Sequence, residues 1–453
     1  MKQVLSRRGF LTQLGAVAGV GVAGAVLSAC AATPAAPQSA TSEVEAAEAA
    51  APAALECRGH VTLGYYTSTT PAIERMKAQE ASFHEKAPDV DLEIIQMTSI
   101  YDKYATMMAA GNEPNVIWMG TGFWQFVGVG AFLDLNPLFD ADMAIDLAEY
   151  YPKVLELFTW KDSLFALPYG FTSTVYAYNE DLLAKEGLTA PSDTWTHDDL
   201  IAMGQALTKD TDGDGRLDQF GTGNGGFWQC IWEFGADAMD EGYTKSTLDT
   251  EEAIAALQYM YDLTFGAYKI APTPDTLQEI GGFPLFNTGK IGFWQLGRWG
   301  VPVLREGAVD INWNVAPAPG QKGSWISGES YAISARTPDK GAAWCLLKHL
   351  CDREAQETFY MTEASATPAI KAAAESDAYM DDGKPPVNDK AFVDTLDFAK
   401  YMPTHPITLE INNIVNPIVD QMNAGDITPA QAGAMMTEGV DTKLREYEGI
   451  WGA

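Results

Sequence analysis

The sequence predicts an α/β fold of two lobes that the chain visits more than once. Three observations carry this prediction. Residues 61–119 alternate strand and helix patterns with short connections. A second α/β stretch begins after Pro137. Beyond residue 290 the chain returns to strand-like runs before a helical C-terminal part.

Taken in order, Val61, Leu63 and Tyr65 alternate as a half-buried strand. Thr70-Pro71 offers an N-cap with proline at the first helical position, and Ile73, Met76 and Phe83 fall on one helical stripe. Val90, Leu92 and Ile94 alternate again, Tyr101, Tyr104 and Met108 follow at helical spacing, and Val116 to Met119 form an apolar strand after Pro114. Strand–helix alternation with such short links predicts a parallel sheet covered by helices. In the second stretch Val175 to Tyr178 read as a strand, and Asn179-Glu180 opens a short helix closed near Gly187. Thr196 to Asp199 match a capping box ahead of Leu200, Met203 and Leu207. Glu251 and Glu252 start another helix, Lys290 to Gln295 and Trp313 to Ala316 are strand-like, and 338–351, 353–361 and 431–447 are helical.

The 453 residues hold 61 acidic against 29 basic side chains, a formal charge of -32. Nucleic acid and bare anionic membrane are poor partners for such a field. With 47% hydrophobic residues, 12 Trp, 18 Tyr and 19 Phe, the chain can build a large core. The N-terminus stands apart. Ser6-Arg7-Arg8-Gly9-Phe10-Leu11 matches a twin-arginine export signal, and Leu27-Ser28-Ala29-Cys30 matches a lipobox, so residues 1–29 read as a cleaved signal and Cys30 as the lipidated residue. Residues 30–57, nearly all Ala, Pro, Ser, Thr and Glu, read as a disordered tether.

Cys57, Cys230, Cys345 and Cys351 remain, with no metal-ligand spacing. Three pairings are open, and the expectation is isolated thiols packed as small apolar residues. The sharpest local motif is 210–218, DTDGDGRLD. Asp210, Asp212, Asp214 and Asp218 occupy positions 1, 3, 5 and 9 of an EF-hand loop, Arg216 the carbonyl-donating position 7, and Gly215 the sharp turn. Position 12, normally glutamate, is Gly221. A structural Ca²⁺ is expected; the bland alternative is a loop of Asx-turns without metal. No catalytic cofactor is expected. Gly221, Gly223 and Gly226 match GxGxxG only formally, no P-loop, GxSxG or HExxH occurs, and the five histidines are isolated in sequence, so an enzyme is not expected.

The order of several segments resembles extracellular solute-binding protein family 1 of ATP-driven importers, the branch related to maltose-binding protein. They are Pro114 to Met119, Gly130 to Leu135, Leu167 to Gly170 running into Val175 to Leu183, Pro191 to Trp195, Phe286 to Gly292, Lys340 to Trp344 and Thr367-Pro368. The resemblance implies a periplasmic-binding-protein-like fold of two α/β lobes with a hinge and an interlobe cleft. It places residues 58–135 and 292–328 in the N-lobe and 136–291 and 329–453 in the C-lobe, with crossings near Leu135, Gly292 to Gly297 and Gly328 to Tyr331. It implies a monomer that captures a sugar or oligosaccharide outside the cytoplasmic membrane, held there by its lipid anchor, and delivers it to an ABC permease. The alternatives are a tethered carbohydrate-active hydrolase and a carrier for a polyamine or peptide.

Sugar recognition needs aromatic faces for C–H surfaces and polar groups for hydroxyls, presented where strands meet helices or cross between lobes. The candidates are Tyr66, Thr67 and Ser68; Thr121, Phe123 and Trp124; Tyr169, Phe171 and Thr172; and Trp228, Trp294, Arg298, Trp299, Trp325, Gly328 and Glu329.

Overall fold

In the computed structural model the residues described are 55–447, apart from 68–69, 224, 362–364, 381–382, 404 and 406. The export signal, the lipidation site Cys30, most of the tether and Ser68 lie outside them. Among the described residues nine strands form one mixed sheet: β1 (Gly59–Tyr66), β2 (Val90–Met97), β3 (Val116–Met119), β4 (Ala166–Asn179), β5 (Phe220–Thr222), β6 (Ile291–Gly297), β7 (Trp313–Ala316), β8 (Ile326–Ile333) and β9 (Thr367–Pro368). Their order is β2-β1-β3-β8-β4-β6-β5, with β7 and β9 also paired to β4.

The helices that matter below are α1 (Thr70–Lys86), α2 (Ile100–Ala110), α3 (His197–Leu207), α4 (Phe227–Glu233), α5 (Glu251–Thr264), α6 (Lys340–Cys351), α7 (Thr408–Asn423) and α8 (Pro429–Tyr447). Thr196 and Asp199 form the expected reciprocal capping box on α3, and Thr250 caps α5. Among the described residues no helix is long and apolar enough to cross a membrane.

The parallel expectation holds for β1 with β2 and β1 with β3, whereas β8 runs antiparallel to both β3 and β4. β4 is the spine of the molecule. Its first half pairs with β8, Ala166 to Ser173 facing Ala332 to Ile326, and its second half pairs with β6, Thr174 to Tyr178 facing Gly297 to Phe293. The changeover at Phe171–Thr174 is therefore a crossing between two cores. The first core gathers β1–β3, Leu138, Tyr150, Val154, Phe158 and Leu164, then Trp344 and Leu347 of α6. The second lobe holds three clusters: one around α4, α5, α7 and α8, one around β6, β7 and Phe392, and one around Trp195 and Leu200.

The lobe boundaries differ from those expected. Residues 136–165 stay in the first lobe, because Leu135 is fully buried there and donates its N–H to Leu164 O at 2.8 Å. Residues 291–316 belong to the second lobe, since β6 and β7 both pair with the far half of β4. Residues 340–374 return to the first. The crossings accordingly lie in β4, at the Trp325 entry to β8, and in a strap over 392–402. Along this strap Phe392 packs in the second lobe, Leu396 and Ala399 in the first, and Met402 against the second again.

The cysteine expectation is half corrected. Cys57 and Cys345 form a disulfide with Cα atoms 5.7 Å apart, while Cys230 and Cys351 are buried free thiols. The end of the expected tether is thus fixed: Leu55 packs on the first core and Cys57 is clamped to α6.

Candidate functional site

At the crossing a cleft opens between the lobes. The first lobe contributes Gly120, Phe123, Trp124, Leu157 and Phe158; the start of β8 contributes Trp325 to Gly328; the second lobe and strap contribute Tyr401, Met402, Pro403 and Thr408. Half-buried Trp124, Trp325, Tyr401 and Ser327 form its surface, while Phe123 and Phe158 are buried behind it and the Thr408 hydroxyl donates to Pro403 O and His405 O at 2.5 and 2.7 Å. Gly328 is required by packing, because a Cβ there would lie 2.4 Å from the Phe158 ring. Trp325 is held through its backbone. Thr174 N–H donates to Trp325 O at 2.9 Å, and Trp325 N–H donates to Thr174 Oγ1 at 2.9 Å.

Beside the cleft Tyr66 stacks on Trp118 at 4.8 Å, both half-buried. Trp118 lies against Gly120, where a Cβ would meet its ring at 3.0 Å, so this stack borders the cleft. Trp118 Nε1–H donates to Tyr169 Oη at 2.9 Å, and Tyr169 in turn donates to Glu329. Burial raises the Glu329 pKa above the usual carboxylate value, and the Tyr169 hydrogen bond and the Arg75 charge oppose that rise.

Of the expected residues, Trp124, Trp325, Gly328 and Phe123 line the cleft and Tyr66 borders it. Thr121 starts the 3₁₀ turn leading to Trp124. The others are placed differently. Thr67 is buried, its N–H bound to Met97 O at 3.0 Å. Tyr169 is fully buried and stacks on Tyr360 at 3.8 Å; Phe171 is in the first core. Buried Thr172 accepts from Arg298 N–H at 2.7 Å. Trp228 packs on the second core and donates to Asn412 Oδ1 at 2.7 Å. Trp294 sits over glycines, its ring 2.0 Å from where a Gly282 Cβ would be, and packs on the core around β6. Trp299 is 49% exposed, edge-on to Phe283 at 5.7 Å.

Arg298 is the clearest correction. It is buried, ion-paired with Asp389, and its guanidinium carbon lies 4.8 Å from the Tyr379 ring centre and 5.1 Å from that of Phe392. This pair joins the end of β6 to the segment leading into the strap, and Arg298 does not line the cleft. The residues missed are Leu157, Phe158 and the run Tyr401-Met402-Pro403 with Thr408. Nothing periodic marks them, and they reach the cleft only through the topology.

The acidic loop is partly organised for a cation. Carboxylate oxygens of Asp210, Asp212 and Asp214 lie within 4.8 Å of one another. Gly213 and Gly215 adopt φ of 78° and 91°, the left-handed turns that the spacing anticipates. Asp218 is turned elsewhere, accepting from Thr211 N–H at 2.7 Å and from Lys290 Nζ at 2.7 Å, and the lysine draws its pKa well below the usual carboxylate range. The missing position-12 glutamate has a packing cause: a Cβ on Gly221 would sit 2.3 Å from Gly204 Cα of α3. The three aspartates also accept N–H groups of their own loop, Asp210 from Gly213 and Gly215, Asp212 from Asp214, and Asp214 from Arg216, at 2.6–3.1 Å.

Two lobes on a shared spine, with an aromatic cleft at the crossings, define a binding protein. Residues 66–357 match the family model for bacterial extracellular solute-binding proteins, and the chain belongs to that family. Solved structures agree in fold. The ABC substrate-binding protein Lmo0181 from Listeria monocytogenes, in complex with cycloalternan, is 20% identical with a TM-score of 0.77, over 86% of this chain and 99% of that one. Maltose-bound MalE3 of T. maritima is 24% identical with a TM-score of 0.70, over 85% and 99%. The cyclic alpha-maltosyl-1,6-maltose binding protein of Arthrobacter globiformis is 18% identical with a TM-score of 0.70, over 86% and 100%.

Proposed function

We propose that the protein is the substrate-binding component of an ABC importer, capturing a sugar or oligosaccharide outside the membrane and presenting it to the permease by closure of the lobes. The observation that carries this reading is the cleft at the crossing, where the half-buried rings of Trp124, Trp325 and Tyr401 surround the hydroxyl of Ser327. Such a lining suits a ring with apolar C–H faces and peripheral hydroxyls. The structural relatives bound to cycloalternan and maltose support the same ligand class. A ligand touching both walls stabilises the closed state by its differential affinity for it. ATP hydrolysis falls to other subunits, and the chain itself catalyses nothing.

The same reading places the mature chain as a monomer anchored through lipidated Cys30 after twin-arginine export, with Ca²⁺ in loop 210–218. A melting screen over mono- and oligosaccharides identifies the ligand, since binding raises stability by mass action. Calorimetry on Trp325→Ala then tests the site: about tenfold weaker binding, ~1.4 kcal/mol, is expected. Unchanged affinity sinks the cleft assignment.

A further inference from the structure

A line of hydrogen-bonded polar side chains runs from half-buried His197 in the second lobe to the cleft. His197 Nε2 lies 2.9 Å from Glu233 Oε2, and Gln229 Nε2–H donates to Glu233 Oε1 at 2.9 Å. Gln229 Oε1 accepts from Thr174 Oγ1–H at 2.5 Å, and Thr174 Oγ1 accepts from Trp325 N–H at 2.9 Å. Glu233, Gln229 and Thr174 are 7%, 2% and 7% exposed, so water offers them few alternative partners. Loop 323–325 rests on the end of α4, where a Cβ on Gly323 would lie 2.3 Å from Glu233 N.

The order of donors is dictated by chemistry. Both Glu233 oxygens face nitrogen groups, Oε1 accepting from the Gln229 amide and Oε2 lying against His197 Nε2. That turns the Gln229 oxygen toward Thr174, which must donate to it and is left with lone pairs for Trp325 N–H. The other titratable groups facing Glu233 are Tyr176, Tyr259 and Cys230. Burial raises all three, so they stay neutral and put no second negative charge beside Glu233.

We propose that Gln229, oriented by Glu233 and His197 and acting through Thr174, is a positioning residue that presets Trp325 in the ligand-free cleft. This rests on the sugar-cleft reading for its effect on affinity, but the geometry can be tested without a ligand. The test uses 5-fluorotryptophan-labelled protein and ¹⁹F NMR, with the Trp325 signal assigned by its loss in Trp325→Phe.

A single sharp Trp325 signal is expected in the wild type and in Thr174→Ser, which keeps the hydroxyl. Broadening or doubling of that signal is expected in Thr174→Val and Gln229→Met, with Trp118 and Trp344 of the first lobe unshifted and oligosaccharide affinity at least tenfold weaker. A Trp325 signal unmoved in both variants overturns the proposal, and so does a shift of every tryptophan with collapse of the melting transition. If no oligosaccharide binds the wild type, the function reading fails while the NMR outcome still decides the relay.

Discussion

Replacing Arg298 by methionine separates a structural role from a ligand-binding one. Both partners of the Arg298–Asp389 pair are 1% exposed, and the guanidinium is enclosed by Tyr379 and Phe392. Methionine keeps the apolar stem but removes the guanidinium that pairs with the buried Asp389 carboxylate. Breaking one side of a buried pair costs about 3–5 kcal/mol, whereas replacing both partners by apolar groups is near neutral. With an unfolding entropy of roughly 2.1 cal/mol/K per residue and some 390 residues in the body, each kcal/mol lowers the melting temperature by about 1.2 °C if the lobes melt together. Arg298→Met should therefore melt about 4–6 °C lower, and Arg298→Met with Asp389→Leu should recover most of that loss. Scanning calorimetry measures the shift, and titration calorimetry with the ligand found by screening should show affinity within about threefold of wild type. An unchanged melting temperature together with tenfold weaker binding would refute the argument, because it would place the guanidinium on the ligand.

The remaining predictions concern the clamp, the acidic loop and one histidine. The Cys57–Cys345 disulfide spans 288 residues, for which chain entropy gives a stabilisation of about 5–6 kcal/mol as an upper figure. Cys57→Ser should lower the melt and leave affinity unchanged; an unaltered melt counts against the clamp. For the loop, Ca²⁺ at ten times its Kd should stabilise the wild type by about 1.4 kcal/mol over chelator and leave Asp212→Asn unaffected, and identical wild-type melts exclude the ion. His349 is buried, donates Nε2–H to Gln79 O at 3.1 Å, and has its pKa depressed mainly by burial. The unfolded imidazole takes a proton near 6.5 while the folded one stays neutral, so stability is full above that pH and falls as pH drops below it. Urea titrations between pH 7.5 and 5 should show a shallower slope in His349→Gln, and an equal slope would clear His349 of the effect.

How much could be read in advance depended on the range of the interaction that decides each feature. The unit from β1 to β3 was legible because alternation and helical stripes are local signals, and Val61, Leu63, Tyr65, Met76 and Phe83 are all buried as their periods require. β4 was legible only in its second half. All of Ala166–Asn179 is buried, so no alternation marks it, and Pro168, Gly170 and Thr172 to Thr174 look like the end of an element when their cross-strand partners are unknown. The resemblance puts the first crossing near Leu135 instead, and the expected lobe boundaries follow from that. The site divides in the same way. Trp124 and Trp325 announce themselves as aromatics beside a strand end or a glycine turn, but Tyr401-Met402-Pro403 has no period, and Arg298 has its partner 91 residues downstream. A lone arginine among aromatics has the composition of a sugar contact and equally that of a buried ion pair. Only the position of Asp389 distinguishes them, and that position is a consequence of the strap, an element that local sequence pattern does not encode.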